Sequence, residues 1–161
     1  VKCEYKLSVD PDLQSDADVH LTSDKFFEAI GNKFDLIFID GLHEEKQVLK
    51  DIENALLHLN ESGYVIVHDC NPPNEIVQRV PRESKQWTGD VWKAWVKAKE
   101  RSDLFMYVVD TDWGCGVIQR GNQCPLYRVE DLTYDNLDKN RERWLGLISV
   151  DTFYAYHRGD F

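Results

Sequence analysis

The sequence predicts an α/β domain with a parallel core and an antiparallel hairpin late in the chain. Residues 34–39 (F-D-L-I-F-I) and 64–67 (Y-V-I-V) are short, almost continuously apolar runs. Runs of that kind suit parallel strands covered on both faces. Between them Val48, Leu49, Ile52, Ala55, Leu56 and Leu59 recur at helical spacing, with polar residues on the other face. Strand, helix and strand within about 35 residues make a βαβ unit. Later, Leu104–Val109 and Gly116–Gln119 read as two strands joined through Asp110–Gly114, and so short a link implies a hairpin.

The remaining elements follow in chain order. Residues 5–9 read as a short strand stopped by Asp10-Pro11-Asp12, and residues 19–21 as another. Thr22-Ser23-Asp24 has the composition of a helix start leading into 25–30. Residues 60–63 (N-E-S-G) are expected to end the helix before the second apolar strand. Pro72, Pro73 and Pro81 mark a long loop, after which Thr88 is expected to cap a helix burying Trp92, Trp95 and Val96. A last helix is expected over 135–147, with a short terminal piece from Ser149.

The 161 residues suit one domain spanning 1–161, large enough to bury roughly 70% of the surface of the unfolded chain. Nineteen Lys and Arg against twenty-nine Asp and Glu give a net charge of −10. Phosphate backbones and anionic lipid repel such a chain, so nucleic acid and membranes are not expected partners. No apolar run approaches the ~18 residues of a membrane span, and the opening residues show no signal-peptide pattern, so the expected location is cytoplasmic. Cys3, Cys70, Cys115 and Cys124 form no C-x-x-C pair. Reduced thiols are expected, with a Cys115–Cys124 bridge across the hairpin as the alternative.

Ligands of an open α/β sheet bind beyond the carboxyl ends of the strands. Asp10, Asp40 and Asp69 close three predicted strands, and Ser23 and Asp24 follow a fourth. Acids there accept bonds from ribose hydroxyls or hold a cation, although Asp-Pro and Asp-Gly are also ordinary turn formers. His43, three residues after Asp40, has a side chain suited to general-base work; its alternative role is a solvent-facing position at the helix start. Strict alternation puts His68 and Asp69 on opposite faces, and Asp69 is expected to face the site. Trp87 and Trp113 lie in loops where they can line a substrate mouth, while Asp110 and Asp112 read as a solvated turn.

The stretches 34–43 (F-D-L-I-F-I-D-G-L-H) and 61–73 (E-S-G-Y-V-I-V-H-D-C-N-P-P) resemble class I S-adenosylmethionine-dependent methyltransferases, in a bacterial branch with I-D-G-x-H and H-D-x-N-P motifs. The likeness extends to 5–12, 22–27, 89–94 and 110–118. It implies a Rossmann-like, mostly parallel sheet. It also implies that Asp10 holds the cofactor ribose, that Ser23 and Asp24 contact the adenine, and that Asp40 lies beside the reacting methyl. In metal-dependent relatives the acids matching Asp40 and Asp69 bind Mg²⁺. Those relatives have Asn directly after the second acid, where this chain has Cys70 and then Asn71.

The family's opening strand and glycine-rich loop have no counterpart before Tyr5. The expectation is therefore an N-terminally truncated methyltransferase-like domain missing the first strand, unless Val1–Glu4 fill the gap or a homodimer pairs the open edges. The leading expectation is O-methylation of a small hydroxylated metabolite or sugar. His43 would be the base, and Asp40 would orient it or hold a cation. The alternatives are a scaffold or dimerisation module that binds no cofactor, and a metal-dependent hydrolase built on Asp40, His43 and Asp69.

Overall fold

The computed structural model describes residues 3–158. Its sheet has five strands: β1 (Phe34–Ile39), β2 (Leu59–Val67), β3 (Leu104–Val109), β4 (Cys115–Arg120) and β5 (Leu147–Ile148). They lie in the order β1-β2-β4-β3-β5. β1 runs parallel to β2 and β3 parallel to β5, while β4 is antiparallel to both β2 and β3. Four strands therefore point one way, and the hairpin inserts β4 as the single opposed strand. This is a mixed α/β, Rossmann-like sheet, as the sequence predicts.

Helices α2 (Glu45–Leu57), α3 (Val91–Ala98) and α4 (Tyr134–Leu145) pack the main core against one face of the sheet. The apolar residues of α2 recur every third or fourth position, so Val48, Ile52, Ala55 and Leu56 all reach that core. On α3 the same spacing buries Trp92 and Trp95 completely. Each indole N–H finds an acceptor: Trp92 donates to Gln78 Oε1 and Trp95 to the Leu145 carbonyl, both at 3.1 Å. A smaller cluster of Tyr107, Val109 and Val117 occupies the other face, packed with Phe153 of α5 (Val150–Arg158).

Several expectations change at the edges. β1 is not covered on both faces, since Leu36 is 42% and Phe38 56% exposed. It pairs only with β2 among the described residues, and α2 shields one side of it. Residues 60–63 do not end a helix. They continue β2 as a bulged stretch, for the register passes from Phe34↔Leu59 to Leu36↔Tyr64. Leu59, placed with the helix by its spacing, is the buried first residue of that strand.

The strand expected at 5–9 reduces to a single parallel bridge, Val9↔Val19, which joins no further strand among the described residues. Residues 1–2, part of the segment expected to fill the first-strand gap, lie outside the described residues. Thr22 caps α1 (Ser23–Ala29) by accepting from the Lys25 N–H. Thr88 does not cap α3. It is fully buried and donates to the Val77 and Gly89 carbonyls, while Asp90 precedes the helix. The last long helix ends at Leu145 because Gly146 turns left-handed at φ 65°. Cys70, Cys115 and Cys124 are free thiols, and among the described residues no helix is long and apolar enough to cross a membrane.

Gly116 on β4 faces Trp95 so closely that a Cβ there would lie 2.3 Å from Trp95 Cζ3. Gly116→Ala is therefore expected to destabilise the domain by about 1–3 kcal/mol, as overpacking does. Urea denaturation with an unchanged slope and a lowered midpoint is the expected result.

Candidate active site

Because β1 and β2 are parallel and Ile39 pairs with Val67, their carboxyl ends emerge side by side. The His68 N–H donates to the Ile39 carbonyl at 3.0 Å, which makes His68 the neighbour of Asp40. Gly41-Leu42 then carries the chain to His43, just before α2.

These residues converge. His43 Nε2 lies 3.2 Å from Asp40 Oδ1, and His43 Nδ1 lies 3.2 Å from Asp69 Oδ2. His68 Nδ1 is 3.2 Å from the same Asp40 oxygen and 3.4 Å from Asp69 Oδ1. His68 Nε2 is 3.2 Å from Asp112 Oδ2 in the hairpin turn. Two imidazoles thus alternate with three carboxylates, running from Asp69, 4% exposed, to Asp112, 78% exposed.

His68 and Asp69 were expected on opposite faces, and the structure brings both into the cluster. Alternation holds only while the backbone stays extended, and Asp69 has φ 63°. Asp112, expected to be a solvated turn residue, also joins the cluster. It sits at φ 45° in a turn where Trp113 and Gly114 are left-handed as well. Neither conformation has a sequence signal beyond the glycine at 114.

Two loops hold the cluster from outside. Cys70 N–H donates to the Gly114 carbonyl at 3.0 Å and Asn71 N–H to the Trp113 carbonyl at 2.6 Å. A Cβ at Gly114 would fall 2.5 Å from Asn71 Cβ, so that approach needs glycine. Asn71 donates to Asp110 and accepts from Arg141 of α4. Its side chain is therefore tied away from the cluster, and the Cys70 side chain is fully buried in the core.

On the other side Trp87 stacks on His43, with centroids 5.5 Å apart, and its carbonyl lies 3.3 Å from His43 Nδ1. Arg82 sits over the same indole. Asp90 N–H donates to the His43 carbonyl, and Asp90 Oδ1 accepts from Glu45 N–H at 2.7 Å, fastening this loop to the start of α2. Trp87 therefore covers the His43 ring. Trp113, the other candidate for a substrate mouth, supplies the carbonyl that fixes Asn71.

Charge follows from this geometry. The bond to Asp40, with Asp69 behind it, outweighs burial and holds the His43 pKa above its ordinary 6.5. Burial lowers that of His68, yet the three carboxylates together leave it raised as well. Asp40 is held below the usual carboxylate range by the His43 bond, whereas burial pushes Asp69 above it.

Of the remaining expected residues, Ser23 and Asp24 form a second patch around Gln47. Asp10 is exposed beyond the Val9–Val19 bridge, and its Oδ1 accepts from the Asp12 N–H. Asp24 accepts from Gln47 and Lys50, and Ser23 Oγ from the same Gln47 amide. No hydrogen bond or ion pair joins this patch to Asp40 among the described residues. The link is α2, since Gln47 grips Ser23 and Asp24 four residues after His43 enters the cluster. A cleft of about 810 Å³ between α2, α3 and residues 128–132 contains none of these residues.

Residues 9–70 match the family model of a methyltransferase domain. The match covers 62 of the 161 residues. The segment contains Asp10, Ser23, Asp24, Asp40, His43, His68 and Asp69, and the match supports the class I S-adenosylmethionine-dependent family. No curated protein matches the chain.

The cluster also fits a divalent cation. One donor atom each from Asp40, His43 and Asp69 lie within 4.8 Å of one another. Asp69 Oδ1 is buried without a hydrogen-bond partner, a costly state that a cation would relieve.

Both histidine pKa values are raised by folding, so their stabilisation is complete below about 6.5 and is lost as pH rises through the folded values. The melting temperature is expected to fall over that window. A His43→Gln, His68→Gln double variant should flatten the fall, and scanning calorimetry between pH 6 and 9 reads it.

Proposed function

We propose that the chain catalyses transfer of a methyl group from S-adenosylmethionine to a hydroxyl oxygen of a small polyhydroxylated metabolite or sugar. The observation that carries this reading is His43, clamped between two aspartates at the carboxyl ends of adjacent parallel strands within the methyltransferase-family segment.

The two aspartates have different tasks. Asp69 is buried and faces His43 Nδ1, together with the Trp87 carbonyl. A carbonyl only accepts, so the neutral ring carries its hydrogen on Nδ1 and its lone pair on Nε2. A buried carboxylate behind Nδ1 fixes that tautomer and stabilises the imidazolium once a proton arrives. Asp40, 43% exposed, stands on the Nε2 side, where the site opens. It accepts a bond from a second hydroxyl of the acceptor and so brings the reacting hydroxyl to Nε2.

S-adenosylmethionine supplies an electrophilic methyl group, whose bond to sulfur breaks as its bond to the acceptor oxygen forms. The hydroxyl proton moves to His43 Nε2. Most of the rate then comes from holding donor and acceptor in line under the loop that carries Trp87. Asp10, with its exposed carboxylate, suits the ribose hydroxyls. Ser23 and Asp24 suit the adenine, with Asp24 exchanging Lys50 or Gln47 for the ligand. A Mg²⁺ ion, if held by Asp40 and Asp69, would polarise the acceptor oxygen.

Calorimetric titration with S-adenosylhomocysteine, with and without Mg²⁺, tests cofactor use. Micromolar binding is expected, and no heat from a folded sample would contradict the reading. With an active acceptor in hand, His43→Gln is expected to lower kcat by about 10²- to 10⁴-fold with little change in KM. Unchanged turnover across the pH range would remove His43 as the base.

A further inference from the structure

The cluster holds a second imidazole that the proposed proton transfer does not use. His68 Nε2 faces Asp112 Oδ2 at 3.2 Å, and a carboxylate only accepts, so that nitrogen carries the hydrogen. In the singly protonated ring the lone pair is then on Nδ1, 3.2 Å from Asp40 Oδ1 and 3.4 Å from Asp69 Oδ1. Asp69 Oδ1 is the buried oxygen without a hydrogen-bond partner. Three electron-rich atoms facing one another repel unless positive charge stands among them, either a second ring proton or a cation that takes its place. A carboxylate behind a histidine N–H is also the usual support of a metal-binding imidazole. His43 is placed differently, because it meets the other Asp69 oxygen and turns its Nδ1 toward the Trp87 carbonyl.

We propose that Asp40, His68 and Asp69 form a divalent-cation site with one nitrogen and two carboxylate donors, and that Asp112 holds His68 in the ligating tautomer. The nitrogen donor turns the site from Mg²⁺, which takes oxygen ligands, toward Mn²⁺, Co²⁺ or Zn²⁺. Asn71 is committed to Arg141 and Asp110, so within the loop after β2 the third donor is His68. The site deepens the methyl-transfer reading and rests on it only for the ion's use: the ion would lie beside the acceptor, and His43 stays free as base.

The test is calorimetric titration of the chain with Mn²⁺ and with Mg²⁺, followed by spin-echo electron paramagnetic resonance of the Mn²⁺ form. Mn²⁺ is expected to bind at least about tenfold tighter than Mg²⁺. A directly bound imidazole nitrogen is expected in the spectrum, lost in His68→Gln and kept in His43→Gln. Asp112→Asn, a change in an exposed turn, should weaken Mn²⁺ by about 10- to 100-fold without affecting folding. Equal or tighter Mg²⁺ binding, a nitrogen signal that survives His68→Gln, or no Mn²⁺ binding by a folded sample overturns the site. S-adenosylhomocysteine binding, measured on the same sample, separates the two readings. Its absence beside nitrogen-ligated Mn²⁺ removes methyl transfer and leaves the ion site standing.

Discussion

Asp69 sits at φ 63°, in the left-handed region that a strand does not use, and the site depends on that one backbone turn. With extended geometry continuing past Val67, His68 and Asp69 would diverge across the sheet. Only one carboxylate or one imidazole would then meet Asp40. The turn folds both onto the same side. Such a conformation persists in a non-glycine residue only where its surroundings over-determine it. Here they do so through backbone bonds from Cys70 and Asn71 to the hairpin turn, and through the grip of Arg141 on Asn71 and Pro72.

The α/β class, the βαβ unit, the late hairpin and the buried tryptophans were legible because each rests on apolar periodicity. Asp40 and His43 were legible for a related reason: the apolar run of β1 stops abruptly, and the residues just past a parallel strand lie at the ligand edge. What escaped was set by tertiary contacts. The exposure of Phe38 depends on β1 lying at the sheet edge. Asn60–Gly63 looks like a helix stop yet bulges within β2. Thr88 is a good cap residue by type, but its hydroxyl is spent on two carbonyls. His68 and Asp112 enter the site through positive φ values that their residue types do not announce.

The cluster gathers three carboxylates and two imidazoles into a few ångströms of a chain whose net charge is already −10. Without added positive charge the histidines must hold protons to balance it. That explains why both are raised although burial opposes it. A base that is protonated by its own neighbours is a poor base. A cation at the proposed Asp40–Asp69 site would resolve the conflict, because it would replace the proton charge and free the imidazole lone pair on His43. In this way the cation site and the proposed base belong to one electrostatic arrangement.

The convergence of both histidines on one Asp40 oxygen is tested most directly by an NMR titration of the histidine rings, in the chain and in its Asp40→Asn variant. If His43 and His68 share Asp40, both titrate above the ordinary histidine value and both move down in the variant. If only His43 moves, and His68 titrates as an exposed ring does, His68 faces away from the cluster and the account fails.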